Sequence, residues 1–225
     1  MAVRQGATMN REQVCARIAE LGVLPAVRTT SRDDAVYAVD EVANGGIPIA
    51  ELTLTIPGAS GLIAELRAKH PEMVIGAGTV LTSDAALECL DAGALFLSSP
   101  GLDLEVVEIA RRRNVAVIPG ALTPTEVNLA WKAGVDFVKV FPCGPVGGAA
   151  YIRALKGPFP NVHLIASGGV NQHTAEDFIL AGAAALGIGR ELTPRAAIEH
   201  RQTERIHELA RRFLHMVHNA RSRIQ

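Results

Sequence analysis

Lysine is scarce in this sequence, with four residues against 18 arginines, and one of the four stands where a charge is costly. Lys69, Lys132 and Lys156 fall near the ends of amphipathic stretches, where solvated lysine is ordinary. Lys139 falls in Phe137-Val-Lys-Val-Phe141, the middle of an apolar run that reads as a strand. Burying an ammonium there is expensive, and charged core residues are usually paired or functional. The chemistry such a residue offers is nucleophilic. Free lysine titrates near ~10.4 and is inert as an ammonium, whereas a desolvated amine condenses with a carbonyl to form a Schiff base.

A second run, Glu51-Leu-Thr-Leu-Thr55, alternates strictly, so its polar residues share one face and its leucines the other. The leucine face must meet helices, which turns Glu51 inward. The same parity sends Val138 and Val140 outward and Lys139 inward, between Phe137 and Phe141. One carboxylate beside one buried lysine is enough to move the protons that making and breaking an imine requires. The plain alternative is an ion pair that only neutralises both charges. Burial favours the amine and a nearby carboxylate favours the ammonium, so the two effects oppose each other.

The elements that must position these groups repeat. Short β-branched runs begin at Val23, Ile49, Met73, Ala94, Val115, Phe137, Val162 and Ala185, spaced by about 20–27 residues, one strand plus one crossover helix. Amphipathic stretches lie between them: 33–43, 58–69, 83–91, 103–113, 124–132, 148–155 and 174–180. Gly45-Gly46, Ala92-Gly93, Ala133-Gly134 and Ala181-Gly182 close helices just before strands. Eight such units predict a single (β/α)8 (TIM) barrel spanning residues 1–225 as one domain. A first strand followed by Thr29-Thr30-Ser31 lacks the glycine fingerprint of an open dinucleotide-binding sheet. Two helices lie outside the repeat: 11–21, an extra N-terminal helix suited to closing the barrel bottom, and 203–221, with an apolar stripe suited to the eighth barrel helix or a subunit contact. Residues 1–10 read as a flexible lead-in without the apolar core of a secretory signal.

Ligands of such barrels bind at the carboxyl ends of the strands. There the sequence places Arg28, Glu51, Thr53, Thr55, Thr79, Ser98, Ser99, Lys139, Ser167 and Arg190. Glycine-rich turns follow the last three strands. Gly168-Gly169 and Gly187-Ile-Gly189-Arg190 occupy the place where this fold gathers backbone N–H groups around a phosphate, and Arg190 adds charge.

The 225 residues carry a net charge of −1, which gives no electrostatic case for nucleic acid or an anionic membrane. No apolar run reaches spanning length. Cys15, Cys89 and Cys143 are odd in number and widely spaced, which points to a reducing, cytoplasmic setting. Seven histidines show no metal-ligand spacing. Cys143 has no histidine placed to activate it. Arg111-Arg112-Arg113 ends a helix and reads as a solvated face.

Taken together, Glu51-Leu-Thr-Leu-Thr, Ile75-Gly-Ala-Gly-Thr-Val-Leu81, Ser99-Pro-Gly-Leu102, Ile118-Pro-Gly-Ala121, Phe137-Val-Lys-Val-Phe-Pro142, Lys156-Gly-Pro-Phe159 and Ser167-Gly-Gly-Val170 resemble the 2-keto-3-deoxy-6-phosphogluconate (KDPG) / 4-hydroxy-2-oxoglutarate (KHG) aldolases. The resemblance runs in unbroken order from about Leu21 to Glu191. It implies a class I aldolase that uses no metal and no cofactor and assembles as a homotrimer. Its ligands are keto acids and phosphorylated sugar acids. Carried over by position, Lys139 forms the Schiff base and Glu51 is the general acid/base. Thr79 contacts the pyruvate portion, Pro100 and Phe141 wall the pocket, and Ser167 keeps a hydroxyl near the substrate C4 oxygen. Gly168, Gly169, Gly189 and Arg190 hold the phosphate. One position departs: Thr55 stands where well-known members carry an arginine for the substrate carboxylate, and Arg28 is expected to take over that charge. The reading is cleavage of KDPG to pyruvate and glyceraldehyde 3-phosphate. Alternatives are the same chemistry on KHG or on the galactonate epimer, a phosphosugar isomerase, and a non-catalytic phosphate-ligand binder.

Overall fold

The computed structural model describes residues 9–224. Helix α1 (Arg11–Leu21) opens on a capping box, with the Asn10 side chain accepting from the Gln13 amide and the Gln13 side chain returning the bond. Strands β1 (Val23–Val27), β2 (Ile49–Thr53), β3 (Val74–Gly78), β4 (Phe96–Ser98) and β5 (Ala116–Ile118) alternate with α2 (Arg32–Asn44), α3 (Ala59–Lys69), α4 (Ser83–Asp91) and α5 (Leu104–Arg112). Beyond them come β6 (Gly120–Ala121), α6 (Pro124–Lys132), β7 (Val138–Val140), α7 (Ala149–Lys156), β8 (Leu164–Ser167), α8 (Ala175–Leu180), β9 (Ala185–Ile188), α9 (Arg195–Glu199) and α10 (Thr203–Ser222).

Every ladder is parallel, and the strand order is β5-β4-β3-β2-β1-β9-β8-β7-β6. The two end segments, β5 and β6, flank a single residue, Pro119. They are one barrel strand in two pieces, the first paired with β4 and the second with β7. The Lys139 amide donates to the Pro119 carbonyl across this join at 2.9 Å. Proline offers no N–H to a ladder, so the strand breaks there while its carbonyl still serves. The result is the expected (β/α)8 barrel.

Gly46, Gly93, Gly134 and Gly182, each just past a helix, all take positive φ, the left-handed geometry that glycine adopts without steric cost. Val14 and Ile18 of α1 are buried against β1, β5 and β9, so this helix crosses the amino-terminal end of the barrel. Helix α10 packs on α8 and α2 and is the eighth barrel helix; α9 is a short turn before it that the sequence periodicity misses. Arg221 fastens the end of α10, donating to the carbonyls of Ala19, Glu20 and Ala184.

Candidate active site

Two inward side chains from nearly opposite parts of the chain meet inside the barrel. Glu51, on β2, is 2% exposed and Lys139, on β7, 7%. Lys139 Nζ lies 3.3 Å from Glu51 Oε1 and 3.4 Å from Oε2. Parity puts both side chains on the inner face, as their sequence alternation requires, while Leu52, Val138 and Val140 pack outward and are fully buried. Phe141 covers the amine, with Nζ 5.9 Å from its ring centroid. The ring of Phe137, the other phenylalanine of this run, pairs with His163 at 5.8 Å between centroids.

Room for the carboxylate comes from β3. A Cβ on Gly78 would stand 2.2 Å from Glu51 Oε1, and one on Gly76 2.4 Å from the Phe96 ring. Both glycines face the interior, two residues apart. Gly78→Ala is therefore expected to displace the carboxylate, cost about 1–3 kcal/mol of stability, and lower kcat more than it raises KM. Thermal melts and steady-state rates check this, and an alanine variant with wild-type kcat would refute it. Directly after Gly78, Thr79 holds φ at 62°. A β-branched residue in the left-handed region is strained. Flanking hydrogen bonds hold the segment: Leu54 N to Gly78 O at 2.8 Å and Val80 N to Ser98 O at 3.1 Å.

A cavity of ≈ 700 Å³ opens above the pair at the carboxyl ends of the strands. Of the residues read from sequence, Arg28, Thr79, Pro100, Phe141, Ser167, Gly168, Gly169, Gly189 and Arg190 line it together with Glu51 and Lys139. Thr55 does not. β2 ends at Thr53, the chain turns, and strand alternation no longer applies to Thr55, which is exposed and bonds to the Thr53 hydroxyl at 2.9 Å. Arg28 and Arg190 are exposed and form no ion pair among the described residues. Gly168 and Gly169 take φ of 76° and 107°. Among the described residues, the amides of Gly169, Val170, Arg190 and Glu191 donate to no protein atom, and all four residues line the cavity; uncommitted backbone N–H groups are the kind an anion recruits.

Sequence reasoning placed Ser98 among the polar strand ends without giving it a role. Its hydroxyl accepts a hydrogen bond from Lys139 Nζ at 3.1 Å. Asn171, Glu191 and Thr193 also line the cavity and were missed; all three lie past the strands, where periodicity has nothing to say. Cys143 sits below the glycine loop and donates to the Gly168 carbonyl at 3.4 Å. Burial pushes its thiol up to about 11, so it stays protonated and unreactive at neutral pH. Among the described residues no three metal-ligating side chains cluster. The arrangement is a buried amine with a carboxylate at its side, under a rim of glycine turns and two exposed arginines.

The family model for KDPG and KHG aldolase matches residues 14–209. The chain belongs to that family. It is an aldolase, a carbon–carbon lyase. A 2-dehydro-3-deoxy-phosphogluconate aldolase of Pseudomonas aeruginosa is 30% identical over 209 residues, 91% of this chain and 95% of that protein. The Haemophilus influenzae protein of the same name is 32% identical over 168 residues, 75% of this chain and 79% of its own length. A crystal structure of KDPG aldolase from Legionella pneumophila, with pyruvate captured at low pH as a covalent carbinolamine intermediate, superposes with a TM-score of 0.81. It is 30% identical to this aldolase, over 88% of this chain and 97% of that one.

Proposed function

We propose that this aldolase reversibly cleaves 2-keto-3-deoxy-6-phosphogluconate into pyruvate and glyceraldehyde 3-phosphate through an imine on Lys139. The observation that carries the reading is a buried lysine amine 3.3 Å from a buried carboxylate at the floor of the cavity. Glu51 takes a proton from the ammonium, and the neutral amine adds to the C2 carbonyl. The carbinolamine oxygen accepts that proton and leaves as water, which gives a protonated imine and restores the carboxylate. Glu51, through a water molecule, then removes the C4 hydroxyl proton. The C3–C4 bond breaks, its electron pair flows into the iminium to form an enamine, and the aldehyde departs. Protonation at C3 and hydrolysis release pyruvate and free Lys139. The imine supplies the electron sink that the carbanion needs.

Thr79 and Phe141 contact the pyruvate portion, Pro100 closes the wall, and the Ser167 hydroxyl meets the C4 oxygen. The unpaired amides of the two glycine turns, with Gly168, Gly169 and Gly189 keeping the backbone close and Arg190 adding charge, hold the phosphate. Arg28 holds the substrate carboxylate in place of the arginine that Thr55 replaces. Arg28→Ala is expected to raise KM for the keto acid by about 10- to 100-fold with a smaller change in kcat. An unchanged KM removes Arg28 from that role.

Incubation with pyruvate and borohydride, followed by peptide mass spectrometry, tests the reading. A reduced pyruvyl group on Lys139 is the expected product; folded protein without it, beside a labelled control aldolase, returns Lys139 and Glu51 to a plain ion pair. A second reading, the same chemistry on 4-hydroxy-2-oxoglutarate, draws on an Escherichia coli relative named KHG/KDPG aldolase, 31% identical over 189 residues. Rates with and without the phosphate on the substrate separate the two.

The reading includes a homotrimer in a reducing cytoplasm. Leu81, Leu104 and Leu129 stand 57%, 58% and 49% exposed, large apolar side chains of the kind that burial against a second copy would remove from water. Light scattering is expected to give three times the chain mass, and a monomeric mass refutes the assembly. Cys15, Cys89 and Cys143 are free thiols, which suits a reducing compartment.

A further inference from the structure

Glu51 has two tasks in the mechanism above: it steadies the Lys139 amine and it moves protons. These conflict. A carboxylate that has taken a proton attracts the amine less, and one engaged with the C4 hydroxyl faces another atom. The amine needs a partner whose hold does not change as protons move.

We propose that Ser98 is that partner, a positioning residue that keeps Lys139 Nζ aimed at the cavity while Glu51 changes protonation state. Its hydroxyl accepts from Nζ at 3.1 Å, against 3.3 and 3.4 Å for the two carboxylate oxygens. It is neutral throughout and accepts from ammonium, amine or iminium N–H alike. Phe96 and Ser98 are two residues apart on β4, and Phe96 fills the interior space beside Gly76, so Ser98 shares the inner face. The side chain is 1% exposed. Its backbone is fixed on both sides, through the Val80 amide bonded to the Ser98 carbonyl and the register of Ser98 with Ile118 of β5. The neighbouring Ser99 differs: its hydroxyl closes a local turn on the Gly101 carbonyl at 2.6 Å. Of two consecutive serines, one shapes the chain and the other reaches the nucleophile.

The inference rests on the imine reading and is tested so that the two fail separately. In full-length protein, Ser98→Ala and the near-isosteric Ser98→Cys both remove the oxygen acceptor, and Ser98→Thr keeps it. With saturating pyruvate and borohydride, labelling of Lys139 is expected to slow by about 10- to 100-fold in the alanine and cysteine variants. Their kcat falls in parallel, KM stays within about twofold, and threonine restores most of the rate. A serine that only fills space affects the melting temperature and leaves these rates alone. Alanine and cysteine variants labelled as fast as wild type overturn the role of Ser98 and leave the imine standing. Wild-type protein that takes no label removes both.

Discussion

Replacing Lys139 with methionine is expected to lower kcat/KM by about 10⁴-fold or more and to abolish the borohydride-trapped pyruvate adduct. Methionine preserves the length and the apolar contacts of the lysine stem and removes the one atom proposed to form the imine, so loss of chemistry is not loss of packing. The substitution has a second consequence. Glu51, 2% exposed, is left without its cation, and breaking a buried pair from one side costs about 3–5 kcal/mol unless the carboxyl takes a proton. The double variant Lys139→Met/Glu51→Gln removes both charges and is expected to recover most of that stability while remaining inactive. Urea melts and the labelling assay together check the pair. An active Lys139→Met enzyme would falsify the covalent route outright.

The second large effect is expected at Glu51. Glu51→Gln keeps the shape and one acceptor oxygen for Lys139 but cannot carry a proton, so kcat should fall by about 10²- to 10⁴-fold, the usual worth of a positioned acid/base. KM should change little, because the groups proposed to hold the substrate anions are Arg28 and the glycine turns, not Glu51. Both imine trapping and the release of aldehyde should slow. A variant that traps pyruvate at the wild-type rate yet fails in cleavage confines Glu51 to the C4 proton. A variant normal in both assigns proton transfer to another group.

Most of the architecture was legible because a (β/α)8 barrel writes its repeat into local pattern. Helices 83–91 and 124–132 match their expected limits, since Thr82 and Thr123 cap them through the Ala85 and Glu126 amides. Parity found the inward pair because Glu51 and Lys139 sit in strands whose outward neighbours are strongly apolar. It failed at Thr55, where the strand had ended. The break at Pro119 escaped notice because a proline at a strand end looks like a stop; that the chain re-enters the sheet at Gly120 depends on β7, a partner farther along. Ser98 was visible only as a polar residue among others. Its meaning is a contact with a residue 41 positions away, and no local rule encodes that distance. Gly78 gave no sign that its missing side chain makes room for a carboxylate.

The break at Pro119 divides more than one strand. Glu51 and Ser98 belong to the arc of chain before it and Lys139 to the arc after it, so neither half holds a competent amine. Cut at the exposed Asn114 turn, the protein would become two fragments, each with an incomplete ring, and only their reassembly would bring the amine to its acceptors. On the imine reading, covalent capture of pyruvate becomes a chemical gauge of ring closure, reporting in a single adduct whether the two arcs have met.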